Sequence, residues 1–581
     1  MKTTFQELPQ RSAFAGALKL EIVKGTTSGN LNPENDVEVK VGQDRSMYVY
    51  VPESGVYHAK QAQVLMVLRD GDDADSAQAL LDGLGLAQLA EEDHFVVVFP
   101  NPLAEGWNYA LDPAHDDDKQ FIVRCFAALK PSESGVAGFN GMIYHLGATP
   151  AGSAMAMTLA VTSPLDAAAI VIGAFPEGYE IPSGAGAEQV AWLYEDNAAA
   201  EEYLARVDGA SGNPCVRYVA SDTGLTAAGM RAAWDELVCG TRRWRNDTYG
   251  IYQPRIDFAE KGVVAHVEDT SLGVNDGFAH TWYEYVPERL RGTDEPIPLV
   301  LYLHGINCVP LYGAEQSGWM DIADRDGFAV VFPAPAIEER WNVWDDPRLP
   351  SDASFLLALI EHMGNVHPID RSRIYVSGFS MGSMMTNAMA CSYPEVFAGA
   401  MALNGPHQGY LMTLDASAKG LLAFRPSSVV KDLAPSDAAV SPTHALADEK
   451  RAAFDYRMPF VQIVGLLDGV GGAGPKAWPL TPDGGGMWQG TIGYWLSFDN
   501  VPGALRVTGE GELGCDADTV EEVGRFVHLA WRSADDGAPE LYHLIGVRRM
   551  PHAVDLRGVE MAWELVRGYR RLPDGTLESA C

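Results

Sequence analysis

Residues 373–390 read R-I-Y-V-S-G-F-S-M-G-S-M-M-T-N-A-M-A, and the reading of this stretch decides the fold. The alternating β-branched and aromatic run Ile374-Tyr375-Val376 predicts a strand that breaks at Gly378. A Met- and Ala-rich helical pattern begins directly after Ser380. Between them G-F-S-M-G forms a strand-to-helix turn with serine at its apex. A turn this sharp needs small residues two before and two after the serine, because a Cβ there would strike the neighbouring strand or helix. It also sets Ser380 at a helix N-terminus, whose backbone N–H groups face any oxyanion forming above it. With 59 glycines in 581 residues the five-residue pattern alone is weak; its setting gives it weight.

Working outward, strand-like runs in the second half fall at about 281–286, 299–303, 328–332, 398–403, 459–464 and 540–547, besides 373–377. Helical patterns fall at about 313–325, 352–364, 381–391 and 557–570. Apolar strands alternating with helices predict a mostly parallel sheet covered on both faces. The stripe Met381, Met384, Met385 and Met389 reads as core.

The first half echoes the second. Met47-Tyr48-Val49-Tyr50-Val51-Pro52-Glu53 matches Trp282-Tyr283-Glu284-Tyr285-Val286-Pro287-Glu288, Phe95 to Pro100 matches Phe328 to Pro333, and Trp107-Asn108 matches Trp341-Asn342. The offsets (50 to 285, 95 to 328, 107 to 341) are 235, 233 and 234. The tails also match, Gly229 to Trp234 against Gly558 to Trp563. The expected architecture is therefore α/β: two tandem α/β-hydrolase-like domains, 1–245 and 246–581, each a mostly parallel sheet with helices on both faces.

Chain order then supplies a chemistry in the second copy. The strand ending at Leu303 runs into His304-Gly305-Ile306-Asn307, the place of a second oxyanion donor: the N–H of Ile306 or Asn307, beside that of Met381. Strand 459–464 leads to Asp468, and strand 540–547 leads to His552 in a loop before the last helix. Serine, acid and histidine in this order, on loops at strand ends, make Ser380 the candidate nucleophile, His552 the base and Asp468 its orienting acid. Trp341, Trp478 and Trp488 are the candidate substrate-binding residues.

Together the L-H-G turn, W-M-D-I-A-D-R-D-G-F-A-V-V-F-P, W-N-x-W-D-D-P, the serine elbow, Y-P-E-V-F-A-G-A and the late P-H resemble the polyhydroxybutyrate depolymerase and feruloyl esterase group of α/β-hydrolases, over about 281–571. The resemblance implies a carboxylic ester hydrolase with Ser380, Asp468 and His552 as its triad. A small aryl (hydroxycinnamoyl-type) or hydroxyalkanoate ester is the expected substrate. The alternatives are a serine peptidase of the same fold and a non-catalytic, ligand-binding double pseudo-hydrolase. Secreted members of the group commonly carry a signal and disulfides, and neither is evident in the sequence.

In the first copy Leu68-Arg69-Asp70-Gly71 replaces L-H-G, Gly147-Ala148-Thr149-Pro150-Ala151-Gly152 replaces the elbow, and Thr223 falls where His552 stands. This copy is expected to be catalytically dead.

Composition sets the outer bounds. Against 42 Lys and Arg stand 78 Asp and Glu, a formal charge of −36, which argues against nucleic acid or an anionic membrane surface as partner. Seven scattered cysteines and an N-terminus without an apolar export core lead to a cytoplasmic expectation. No H-E-x-x-H or closely spaced His/Asp cluster is present, so neither a metal nor a cofactor is expected.

Overall fold

The computed structural model describes residues 15–25, 43–56, 63–129, 142–175, 177–182, 188–194, 198–207, 212–213, 215–306, 308–337, 340–407, 442–469, 486–501, 506–507, 513–514, 517–534 and 537–579. The chain forms two compact units, Met1–Phe258 and Ala259–Cys581. The sequence placed the joint at 245/246. The chain stays with the first unit longer, because β9 (Thr241–Trp244) turns back to pair with β10 (Ile251–Pro254).

In the first unit eight strands form one sheet: β1 (Leu18–Val23), β2 (Arg45–Tyr50), β3 (Gln63–Leu68), β4 (Val96–Pro100), β5 (Met142–Gly147), β6 (Ala169–Ile172), β7 (Ala191–Leu193) and β8 (Tyr218–Ala220). Their order is β1-β2-β4-β3-β5-β6-β7-β8; the pairings β1–β2 and β2–β4 are antiparallel and the others parallel.

The second unit repeats this order and extends it. Its strands are β11 (Val264–Asp269), β12 (His280–Tyr285), β13 (Ile297–Leu303), β14 (Ala329–Pro333), β15 (Ile369–Phe379), β16 (Gly399–Leu403) and β17 (Phe460–Gly465). After the two-residue strands β18 (Arg506–Val507) and β19 (Leu513–Gly514) come β20 (Thr519–Val523), β21 (Phe526–Arg532) and β22 (Glu540–Val547). The ten-stranded order is β11-β12-β14-β13-β15-β16-β17-β22-β21-β20. β13, I-P-L-V-L-Y-L, is buried at all seven positions, as a central parallel strand covered on both faces requires.

Two helical expectations changed on folding. The run at 313–325 is two helices, Pro310–Ser317 and Trp319–Asp326, broken where Gly318 takes φ +68°. A further helix, Gly486–Phe498, follows Asp468, beyond the helical patterns read from the sequence. Its Trp495 stacks on Phe460 at 4.0 Å between ring centroids and donates its indole N–H to Asn387 Oδ1 at 2.8 Å.

Corresponding positions of the two units make corresponding bonds. The indole N–H of Trp107 donates to Arg69 O at 2.8 Å, and that of Trp341 to His304 O at 2.7 Å. Asn108 Nδ2 donates to Asp112 O, as Asn342 Nδ2 does to Asp346 O. Trp234 donates to Asp93 and packs on Phe95; Trp563 donates to Asp326 and packs on Phe328.

Candidate active site

The turn after β15 has the geometry its glycines foreshadow. Ser380 stands at φ +57°, ψ −117°, between β15 and the helix Met381–Ser392. A Cβ added to Gly382 would lie 1.9 Å from Leu303 O, and one added to Gly378 would lie 2.3 Å from Gly382 O. Backbone cannot yield there, so both places require glycine. Ser380 N donates to Leu403 O at 2.9 Å, tying the turn to β16. Met384, Met385 and Met389 lie in the core, as their spacing implies.

The three residues named from chain order converge. His552 Nε2 lies 2.8 Å from Ser380 Oγ, and His552 Nδ1 lies 2.7 Å from Asp468 Oδ2. Asp468 is buried, and the His552 ring rests against Phe379 with centroids 4.8 Å apart. The acid and histidine loops are laced together: Leu466 N donates to Val547 O at 3.0 Å and Leu467 N to Met550 O at 2.9 Å. A Cβ on Gly465 would sit 2.5 Å from both Met550 O and Pro551 O, so this approach also depends on glycine.

Asn404, which the sequence reading passed over, positions both loops. Buried at the end of β16 with φ +50°, it donates from Nδ2 to Ala553 O at 2.6 Å and accepts the Gly465 N–H on Oδ1 at 2.6 Å. One side chain thus holds the residue after His552 and the start of the turn that carries Asp468. The signal was an Asn-Gly pair at a strand end, where φ > 0 is accessible.

Met381 opens its helix, so its N–H is one of the initial donors without an intrahelical acceptor. Ile306 lies in the turn after Gly305. Asn307 and Trp478 lie outside the described residues. His304 is buried, with Nδ1 2.8 Å from Gly305 O.

Two of the candidate substrate-binding residues are buried. Trp341 is 1% exposed and braces the His304 carbonyl, the role that Trp107 has in the first unit. Trp488 is 2% exposed within the core cluster. Both are large apolar side chains whose burial against the sheet outweighs exposure in a loop.

Among its described residues, the first unit holds other groups at the corresponding positions. Thr149 has φ −129°, ψ 165°, an ordinary helix cap whose Oγ1 accepts the Gly152 N–H, with Pro150 as the first helical residue. Its hydroxyl donates to Asp70 Oδ1 at 2.7 Å, and Thr223 pairs with Ser221.

Strand order, strained serine turn and hydrogen-bonded Ser-His-Asp chain define an α/β-hydrolase. Residues 284–472 match the family described as Esterase PHB depolymerase, the group that the motifs of this segment resembled. The chain is 27% identical over 301 residues to poly(3-hydroxyalkanoate) depolymerase C of Paucimonas lemoignei, spanning 50% of this chain and 62% of that protein. It is 32% identical over 157 residues to feruloyl esterase B of Thermothelomyces thermophilus, spanning 25% of this chain and 49% of that one. To acetylxylan esterase A of Emericella nidulans it is 31% identical over 135 residues, spanning 22% and 43%. The chain thus covers less than two thirds of each of these ester hydrolases. Among solved structures, an acetyl xylan esterase from Aspergillus awamori aligns at TM-score 0.35 and 16% identity, over 52% of this chain and 98% of that one.

Proposed function

We propose that the second unit hydrolyses a carboxylic ester through an acyl-enzyme on Ser380. The observation that carries this reading is the unbroken hydrogen-bond chain from Ser380 Oγ through the His552 ring to Asp468. Ser380 Oγ attacks the ester carbonyl carbon while His552 Nε2 takes its proton. The oxyanion is received by the Met381 N–H and by an N–H of the turn at Ile306 or Asn307. His552 then returns the proton to the leaving alkoxide, and water, activated by the same imidazole, releases the acid. Asp468 fixes the imidazole tautomer and stabilises the imidazolium.

Relatives that are named as acting on hydroxyalkanoate polymers, feruloyl esters and acetylxylan support a small aryl or hydroxyalkanoate acyl group. The first unit we read as a degenerate copy. Its residues at the elbow and histidine positions, Thr149 and Thr223, are engaged in capping and local hydrogen bonds instead. No helix among the described residues is long and apolar enough to cross a membrane. A small-molecule ester is the substrate we propose.

The test is a fluorophosphonate label on the full chain, followed by turnover on feruloyl, hydroxybutyryl, acetyl and aminoacyl substrates. Labelling should map to Ser380. Ser380→Ala and His552→Ala should each lower kcat/KM by roughly 10⁴–10⁶, with the double variant little worse than either. No labelling, or losses that add, would remove the triad from this reading. Preferential cleavage of the aminoacyl substrate would favour a peptidase.

A further inference from the structure

Remote from Ser380, the second unit gathers three imidazoles about one carboxylate. Glu284 is on β12, and His266 is on the adjacent edge strand β11, where it is the cross-strand partner of Trp282. The helix Asp352–Val366 contributes His362, and His367 caps its C-terminal end. Glu284 Oε1 lies 3.0 Å from His266 Nε2 and 3.0 Å from His362 Nε2; Glu284 Oε2 lies 3.3 Å from His367 Nε2. The ligand atoms of His266, Glu284 and His362 all lie within 4.8 Å of one another.

Hydrogen bonds alone account poorly for this cluster. Glu284 Oε1 already accepts the Trp282 indole N–H at 3.0 Å and lies within bonding distance of His362 Nε2. A carboxylate oxygen has two lone pairs, and these two donors fill them. The third group crowded onto the same oxygen, His266 Nε2, is a buried nitrogen without a hydrogen-bond partner despite its 3.0 Å approach. If that nitrogen carries a lone pair instead, Nδ1 of the ring bears the proton, and Nδ1 faces Asp269 Oδ2 at 3.6 Å. A carboxylate behind the far nitrogen is how proteins orient a metal-binding imidazole.

We propose that His266, His362 and Glu284 form a three-residue site for a divalent transition-metal ion, with zinc as the occupant its chemistry favours. Two imidazoles and one carboxylate, without thiolate, are a borderline donor set suited to zinc. A tetrahedral ion with ligand bonds of about 2.05 Å has ligand-to-ligand edges of about 3.3 Å, close to the 3.0 Å from Glu284 Oε1 to each of the two imidazoles. The ion's work there is structural. It fastens the edge strand β11 and the end of the helix to β12. Along the sheet β12 is three strands from β15, about 14 Å, so ester turnover does not pass through the ion.

The experiment loads the full chain with zinc, passes it over gel filtration and counts metal per chain. About one retained zinc is expected, with a melting temperature that falls on exhaustive EDTA treatment and recovers with zinc. Turnover, measured well below melting, stays unchanged by EDTA. His266→Gln and His362→Gln should each weaken zinc by at least about 100-fold in chelator competition, Asp269→Asn by roughly 10- to 100-fold, and Ser380→Ala not at all. Cobalt loaded into the unmutated chain should show the intense visible bands of a tetrahedral ion, a readout independent of how the variants fold. Failure to retain stoichiometric zinc, octahedral cobalt spectra, or full zinc affinity in both histidine variants would each overturn the site.

Discussion

Replacing Ser380 by glycine separates the strain of the turn from its chemistry. At φ +57°, ψ −117° the residue occupies a region that a Cβ makes costly, on the order of 1–3 kcal/mol. Ser380→Ala removes the hydroxyl and its bond to His552 but keeps the Cβ and therefore the strain. Ser380→Gly removes both, so the difference between the two variants isolates the backbone term. Taking about 2 kcal/mol for the strain, the extra freedom of glycine in the unfolded chain returns about 0.7 kcal/mol. Loss of one half-buried methyl returns about 0.4 kcal/mol. The net expectation is that Ser380→Gly is more stable than Ser380→Ala by about 1 kcal/mol, or about 2 °C for a unit of this size. Scanning calorimetry of the second unit's transition in the full chain measures it, and both variants should be inactive. A Gly variant melting at or below the Ala variant would show that the elbow stores no strain.

Other consequences follow from the same geometry. Asp468→Asn should cost up to roughly 10⁴ in kcat, since an amide misdirects the His552 tautomer; a nearly silent change in steady-state kinetics would move the acid elsewhere. Gly382→Ala places a methyl 1.9 Å from Leu303 O, so it should abolish soluble expression or turnover, and an active, stable variant would refute the packing of the elbow. Thr149→Ala should leave ester turnover untouched while costing the first unit about 1 kcal/mol through its lost helix cap, read as a shift in denaturant midpoint. Burial pushes the Asp499 carboxyl up to about 8, above its ordinary 3.8, despite the Met458 N–H bond. The folded form therefore keeps a proton that the unfolded chain releases, and stability falls as pH rises from about 4 to about 8. Relative to Asp499→Asn, the unmutated chain should lose at least about 2 kcal/mol between pH 5 and 7.5 in chemical denaturation, and a constant difference would contradict this.

Much of the site was legible because its requirements are local. The elbow announces itself through glycines two before and two after the serine, and the structure places backbone within 2.5 Å of where their side chains would be. Asp468 and His552 follow from a rule of position: each stands just beyond a strand of a parallel sheet. The burial of Trp341 and Trp488 was not legible, because an aromatic between strands looks alike whether it lines a pocket or caps a core. The partner that decides the matter for Trp341 is the carbonyl of His304, 37 residues away.

By itself the sequence determined the period and sense of the strands, the echo of one half in the other, and the order Ser380, Asp468, His552. All are properties of contiguous residues, governed by local sterics and by burial on one face or two. Only the tertiary structure decided which distant side chains share an atom. Asn404 clamps two loops to which it is not adjacent in sequence, and His266, Glu284, His362 and His367 meet on a single carboxylate. Those meetings depend on strand order, which places β12 beside β14 and β16 beside β17. Strand order is fixed by the summed burial of the whole sheet, a sum to which no short stretch of sequence holds enough terms.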